Sequence, residues 1–265
     1  MDRQVTDSGD AGLAYWFADA PAAGSWNMAL DEALLQQAER SGHPWLRFYQ
    51  WQEPTLSLGY FQRYANRHMH AASEHCVAVR RASGGGAILH DQELTYSFVL
   101  PASHPLARRP ETSYLAMHQS LMVALAEQQI SVSLCQLDGS QIANDKPKQP
   151  FLCFQRRATG DVLLTDTAGG EWKIAGSAQR RHRGAILQHG SVLLRRSAAA
   201  PELPGIGDLA GRVVNLQQLQ QEWCQQIERQ LGLRLVFQSP LAEVIESARM
   251  IEAEKFGSQR WLEAR

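Results

Sequence analysis

Cys153, Lys173 and the run Arg80-Arg81-Ala82-Ser83-Gly84-Gly85-Gly86 are the parts of this chain whose types and spacing could do chemistry. Three consecutive glycines leave their backbone N–H groups free of any Cβ. A ligand can then approach closely, and successive amides can form an anion-holding nest. Two arginines stand before the glycines and His90-Asp91 follows them. The loop lacks the Gly-Lys-Ser/Thr ending of a P-loop and the spacing of a dinucleotide fingerprint. A glycine-rich turn with solvated arginines would read the same way, so the loop marks a place and names no reaction.

Cys153 lies in Phe151-Leu152-Cys153-Phe154, at the exit of a polar, loop-like stretch over residues 138–150 that carries Pro147 and Pro150. A cysteine in an apolar run is most often an inert buried side chain. Lys173 raises the alternative, because a cation beside a thiol favours the nucleophilic thiolate. Alone, Lys173 reads as an exposed strand lysine. It precedes Gly176, a residue that permits close backbone approach. His90, His189 and Arg81 could each hold a phosphate, an acyl carbonyl or only a backbone group. No Gly-x-Ser-x-Gly elbow occurs, which leaves a serine-hydrolase triad poorly supported. Arg180-Arg181-His182-Arg183 reads as a solvated turn or as a dock for an acidic partner protein.

The elements that must position these groups follow from periodicity. A helix is expected from Ser25, with Met28, Leu30, Leu34 and Leu35 as its stripe. Ser25 or Asn27 would cap it, Asp31 and Glu32 would suit its dipole, and Gly42-His43-Pro44 would end it. Residues 45–49 and 55–60 read as two strands of a hairpin, and residues 66–75 as a short helix. Strands over 76–79 and 94–100 flank the glycine loop. Residues 111–129 form a helix with no Gly or Pro to interrupt it, followed by a strand over 130–134. Gly169-Gly170 turns a hairpin between residues 161–164 and 172–176. A further strand covers 185–194, interrupted at Gly190. The Ala-, Pro- and Gly-rich residues 197–211 read as a linker. A helix over 216–231, a short strand and one or two terminal helices complete the chain.

A chain of 265 residues can bury one large core or two modest ones. Net charge is -1, so no global basic field points to nucleic acid or to an anionic membrane. No apolar run reaches the length of a membrane span, and residues 1–10 are acidic and polar, unlike a signal peptide. Cys76, Cys135, Cys153 and Cys224 form no C-x-x-C pair, so neither a zinc site nor a disulfide framework is suggested. Reduced thiols in a cytoplasmic protein fit best.

Four motifs occur in order: Asn27-Met28-Ala29-Leu30-Asp31-Glu32; Arg80-Arg81-Ala82-Ser83-Gly84-Gly85-Gly86-Ala87; His90-Asp91 with Glu93-Leu94-Thr95-Tyr96-Ser97; and Lys173-Ile174-Ala175-Gly176-Ser177-Ala178-Gln179-Arg180. Together they resemble the lipoate–protein ligase and octanoyltransferase family, most of all its ligase-like octanoyltransferase branch. Any one motif is weak, but four in order with compatible spacing are specific. Lys255-Phe256 and Trp261 resemble that family's C-terminal signature.

The resemblance implies an α+β fold of mixed β-sheets with outer helices, shared with biotin–protein ligases. Residues 1–13, polar at their start, are expected to be a flexible tail, and the resemblance implies one catalytic domain over 14–265, with a helical segment from about residue 212. Arg80, Arg81, Ser83, Gly84, Gly85, Gly86, His90, Gly176 and Ala178 would bind the acyl substrate, and Cys153 and Lys173 would be catalytic. An octanoyl or lipoyl group would pass from acyl carrier protein to Cys153, and then to a specific lysine of a lipoyl-carrier protein. That acceptor would be the glycine cleavage H protein or the E2 lipoyl domain of a 2-oxoacid dehydrogenase. No cofactor or metal is expected on this reading. The alternative is a ligase that uses ATP and Mg to make lipoyl-AMP. Less favoured is a non-catalytic protein that binds lipoyl domains. Neither nucleic acid nor membrane is an expected partner.

Overall fold

The computed structural model describes residues 12–137 and 150–265. The strands are β1 (Gly12–Ala18), β2 (Trp45–Tyr49), β3 (Thr55–Leu58), β4 (Val77–Arg80), β5 (Ile88–His90), β6 (Glu93–Leu100), β7 (Ser133–Leu134), β8 (Val162–Thr165), β9 (Glu171–His182), β10 (Ala185–Leu193) and β11 (Leu233–Phe237). The helices are α1 (Gly24–Ser41), α2 (Pro110–Glu127), α3 (Ile206–Ala210), α4 (Leu216–Leu231), α5 (Ala242–Ile251) and α6 (Gln259–Leu262). Eight strands form one mixed sheet in the order β11-β1-β2-β6-β10-β9-β8-β7, and β4-β3-β5 form a second sheet. Mixed sheets with helices are thus present as expected.

The strands β6 and β10 are buried at every residue, because helices cover both faces of the large sheet. Leu94, Tyr96, Phe98 and Leu100 of β6 pack with Met117 and Leu121 of α2 and Trp223 and Ile227 of α4. Val99 packs instead with Leu34 of α1, Val244 of α5, Trp45 and Leu187. Successive strand residues point to opposite faces. The same alternation sends Arg47 and Tyr49 of β2, Thr95 and Ser97 of β6, and His189 and Ser191 of β10 to the α1 face. Register places them side by side: Ser97 lies opposite both Arg47 and His189, and Thr95 opposite both Tyr49 and Ser191. One face of the central strands is therefore polar where α1 and the small sheet cover it.

Several expectations need correction. β2 and β3 are not a hairpin. Both edges of β2 are taken, by β1 and β6, so β3 pairs with β4 and β5 in the other sheet. Neither Ser25 nor Asn27 caps α1, whose N-cap is Ala23. Ser25 Oγ donates to Glu252, and Asn27 Nδ2 donates to the Ala22 and Gln50 carbonyls. Gly42 does close the helix, at φ 75° with its N–H on the Ala38 carbonyl. Two 3-10 turns, Tyr64–Met69 and Ala71–Ser73, replace the short helix. The strand after α2 shortens to β7. β10 runs through Gly190 unbroken, paired with Tyr96 and Ser177 on its two sides, and a Cβ there would sit 2.7 Å from both residues. Residues 197–211 are no linker: Ala200, Leu203 and Ile206 are buried, and α3 forms within them. Gly12 and Leu13 belong to β1 rather than to the expected tail, and residues 1–11 lie outside the described residues. So does residues 138–149 of the expected polar loop.

Candidate active site

The glycine loop joins β4 to β5 and is built around a buried arginine. Arg81 Nη1 donates to the Ser57 carbonyl at 2.8 Å, and Nη2 donates to the Gly84 and Gly86 carbonyls at 2.7 and 2.6 Å. One guanidinium thus folds the loop back on itself. Burial pushes the Arg81 pKa down to about 10; Cys153 works against that shift and Arg156 adds to it. Gly85 holds φ 97°, the conformation that a glycine supplies without strain. Gly59 faces it, and a Cβ at Gly59 would collide with the Gly85 carbonyl. Tyr60 N–H ties the same corner to the Ser83 carbonyl at 2.9 Å.

Arg80 has a different task from the one expected. Its guanidinium donates to the Gly59, Tyr60, Gln62, Trp261 and Leu262 carbonyls. Trp261 Nε1 returns a bond to the Arg80 carbonyl at 2.8 Å. Arg80 fastens the C-terminal segment to the loop and does not line the cavity beneath it.

That cavity, about 20 Å³, lies between the two sheets and is lined by Arg81, His90, Ala178, His189, Gly190 and Tyr49 among others. Two buried carboxylates hold its polar walls. Asp31 accepts from Arg47 Nη1 at 2.9 Å, Ser97 Oγ at 2.6 Å and Tyr49 OH at 3.1 Å. His189 Nδ1 stands 3.6 Å from the same carboxylate, and its Nε2 is hydrogen-bonded to Ser83 Oγ. Burial disfavours the Asp31 carboxylate, but the neighbouring His189 and the Arg47 charge outweigh it and lower its pKa. Glu93 accepts from His90 Nδ1 and from Ser191 Oγ, each at 2.7 Å. His90 stacks on Trp51 with ring centroids 3.8 Å apart. Burial lowers the His90 pKa, and the Glu93 charge opposes that shift without reversing it.

Cys153 reaches the loop through backbone pairing. Ala87 N–H donates to the Phe151 carbonyl at 3.1 Å, and Cys153 N–H donates to the Ala87 carbonyl at 2.7 Å. The half-buried Cys153 therefore sits against the loop exit, one residue beyond Gly86. Lys173 lies over the Phe154 ring at 5.3 Å, beside the cysteine's turn. Its ammonium is not a lone cation: Nζ pairs with buried Asp161 at 2.8 Å. Asp161 also accepts from Tyr114 OH at 2.9 Å and Ala158 N–H at 2.7 Å. Burial, with the Asp161 charge second, raises the Tyr114 pKa and keeps the phenol a donor. A Cβ at Gly176 would lie 2.8 Å from Lys173 Nζ, so the lysine folds across its strand over this glycine.

The structure thus gathers Arg81, Ser83, Gly84, Gly85, Gly86, His90, Ala178 and Cys153 around one loop and cavity, with Lys173 and Gly176 beside them. Asp31, Arg47, Asp161, Tyr114 and Gly59 were missed as site residues. A signal existed for two of them. Arg47 interrupts an apolar strand and Asp31 an apolar helix, and two opposite charges in apolar elements suggest a buried pair.

Residues 23–228 match the family model described as the lipoyl protein ligase A/B catalytic domain. The chain belongs to that family. Octanoyltransferase LipM of Bacillus anthracis is 31% identical over 266 residues, covering 89% of this chain and 93% of the relative. The putative lipoate protein ligase Ta0514 of T. acidophilum shares the fold with a TM-score of 0.74 at 19% identity, covering 96% of this chain and 99% of that one. A bipartite lipoate protein ligase from Thermoplasma acidophilum, solved in a study that includes its E2 lipoyl domain, gives a TM-score of 0.71 at 17% identity, covering 94% and 96%. As a member of the lipoyl protein ligase A/B family, this chain is an enzyme with a lipoate–protein ligase catalytic-domain fold. No helix of the described residues is long and apolar enough to cross a membrane.

Proposed function

We propose that the chain is an octanoyltransferase that moves an octanoyl group from acyl carrier protein to a lysine of a lipoyl-carrier domain, through a thioester on Cys153. The observation that carries this reading is the pairing of Cys153 with Ala87, which seats a half-buried thiol against the glycine loop. The Bacillus anthracis relative, named an octanoyltransferase and matched over most of both chains, supports the transferase class.

In the first step Cys153 Sγ, as thiolate, attacks the carbonyl of the donor thioester. The carbon–sulfur bond to the carrier breaks and the carrier's thiolate takes a proton. One thioester replaces another, so no ATP is needed. In the second step a neutral lysine amine attacks the Cys153 thioester. An amide forms, Cys153 leaves as thiolate and the amine's proton returns to it. A thioester is converted to an amide, which drives the sequence forward. Arg81 fixes the loop that borders the thiol through its bonds to the Gly84 and Gly86 carbonyls. Lys173, held by Asp161, closes the other side.

The test is transfer of octanoate to a purified lipoyl domain. Octanoyl-acyl carrier protein without ATP should suffice. Modification that requires free octanoate or lipoate together with ATP and Mg would instead assign the ligase reaction.

A further inference from the structure

The glycine loop has an outer rim that the acyl chemistry does not use. Phe61 is 74% exposed. It stands over the loop: a Cβ on Gly84 would lie 3.7 Å from its ring. Three arginines lie along the same loop and its rim. Arg180 Nη1 donates to the Ala82 carbonyl at 2.8 Å. Arg156 lies against Gly86, where a Cβ would be 2.9 Å from its guanidinium carbon. Arg265 covers the Tyr60 and Phe61 rings at 5.0 and 5.9 Å. Neither Arg180 nor Arg265 has a carboxylate partner among the described residues. Tyr60 senses the field: a hydrogen bond from Arg265 lowers its pKa first, and Arg180 and Lys255 add to the effect. The whole chain is near neutral, at net charge -1, so this concentration of cations at one mouth is local.

We infer that Phe61, Arg156 and Arg180 dock an acidic face of the acyl-thioester carrier protein that loads Cys153. The inference rests on the transferase reading above. Opposite charges at the mouth raise encounter rates and fix register, and an exposed aromatic on a rim that carries arginines has the composition of an interface hot spot. The donor is favoured over the acceptor because Arg156 shares a 3-10 turn with the nucleophile, its N–H donating to the Cys153 carbonyl at 3.0 Å. Carrier proteins present their thioester on a phosphodiester arm, and a guanidinium fork suits that group.

The test compares two donors for acylation of Cys153 in the intact chain: octanoyl-acyl carrier protein and octanoyl-N-acetylcysteamine, which carries no protein. Phe61→Ala should lower kcat/KM for loading from the carrier about tenfold and leave loading from the small thioester unchanged. Arg156→Glu should lower the carrier-to-small-thioester ratio by at least as much. It should also flatten the decline of carrier loading with added salt. Equal losses on both donors would overturn the inference and make these residues supports of the loop. A loss confined to the later transfer to a lipoyl-domain lysine would also overturn it, giving the rim to the acceptor. If neither donor acylates the wild-type chain, the transferase reading fails first and the inference falls with it. That result is distinct from the other two.

Discussion

Gly85 at φ 97° is the residue on which the loop turns. A β-branched side chain would be strained there, and its Cβ would press on Arg81 Nη2 at 3.0 Å. Gly85→Val should stay folded, as judged by its far-UV spectrum and melting, yet lose octanoyl transfer by about a hundredfold or more, as misplacement near a reacting centre does. Wild-type turnover in a folded variant would show that the loop is only a turn. Asp161 makes a second residue-scale case. Its pair with Lys173 is almost fully enclosed, with 1% and 6% of the two side chains exposed. Asp161→Asn would leave a buried ammonium without its counter-charge. Urea unfolding should show a loss of about 3 kcal/mol. A double variant in which Lys173→Met accompanies Asp161→Asn should recover part of it. Additive losses would show that the two charges do not support each other.

Elements were legible where one face alone decides. The helix over residues 216–231 matches α4 end to end, because Leu219, Trp223, Ile227 and their neighbours repeat at helical spacing and Gly232 closes it in a left-handed conformation. The Gly169-Gly170 hairpin was equally plain. The β2–β3 hairpin was not, because a strand's partner depends on which edges are already occupied, and a local pattern carries no such information. Likewise the buried role of Asp31 needs β2, β6 and β10 to be neighbours before it can be seen. The polar interior also gives an element-scale prediction. His118 of α2 is wholly buried, donates from Nδ1 to the Gly160 carbonyl at 2.6 Å and meets Ser177 Oγ at Nε2. Burial lowers its pKa from 6.5 to about 4, against the opposing Gly160 bond. The unfolded chain therefore takes up a proton that the folded chain refuses. Stability should be full above pH 6.5 and fall as pH drops from there towards about 4, by about 3 kcal/mol from this group. His118→Gln should flatten that part of the profile in urea titrations across the window. An unchanged slope would place the pH dependence elsewhere.

At the scale of the whole molecule, two sheets close on one another and the C-terminal segment locks the join. Arg80 gathers five carbonyls, three from the loop after β3 and two from the C-terminal segment, and Lys255 of the π-helical turn Glu252–Phe256 pairs with Glu32 of α1. Motif order in the sequence pointed to the family and to the loop. It misassigned Arg80, because a guanidinium beside a glycine loop looks the same whether it faces a ligand or a carbonyl cluster. It made Lys173 a free charge, because Asp161 is distant in sequence and only the β8–β9 pairing brings the two together. Cys153 was singled out from its apolar setting, and the structure seats it at the loop exit. The central claim is that this thiol carries the acyl group. Intact mass spectrometry after mixing the chain with octanoyl-acyl carrier protein, followed by addition of a lipoyl domain, tests it most directly. The account predicts one added octanoyl group, removable by hydroxylamine, absent in Cys153→Ala and discharged onto the lipoyl-domain lysine. A Cys153→Ala chain that modifies that lysine at the wild-type rate would contradict it.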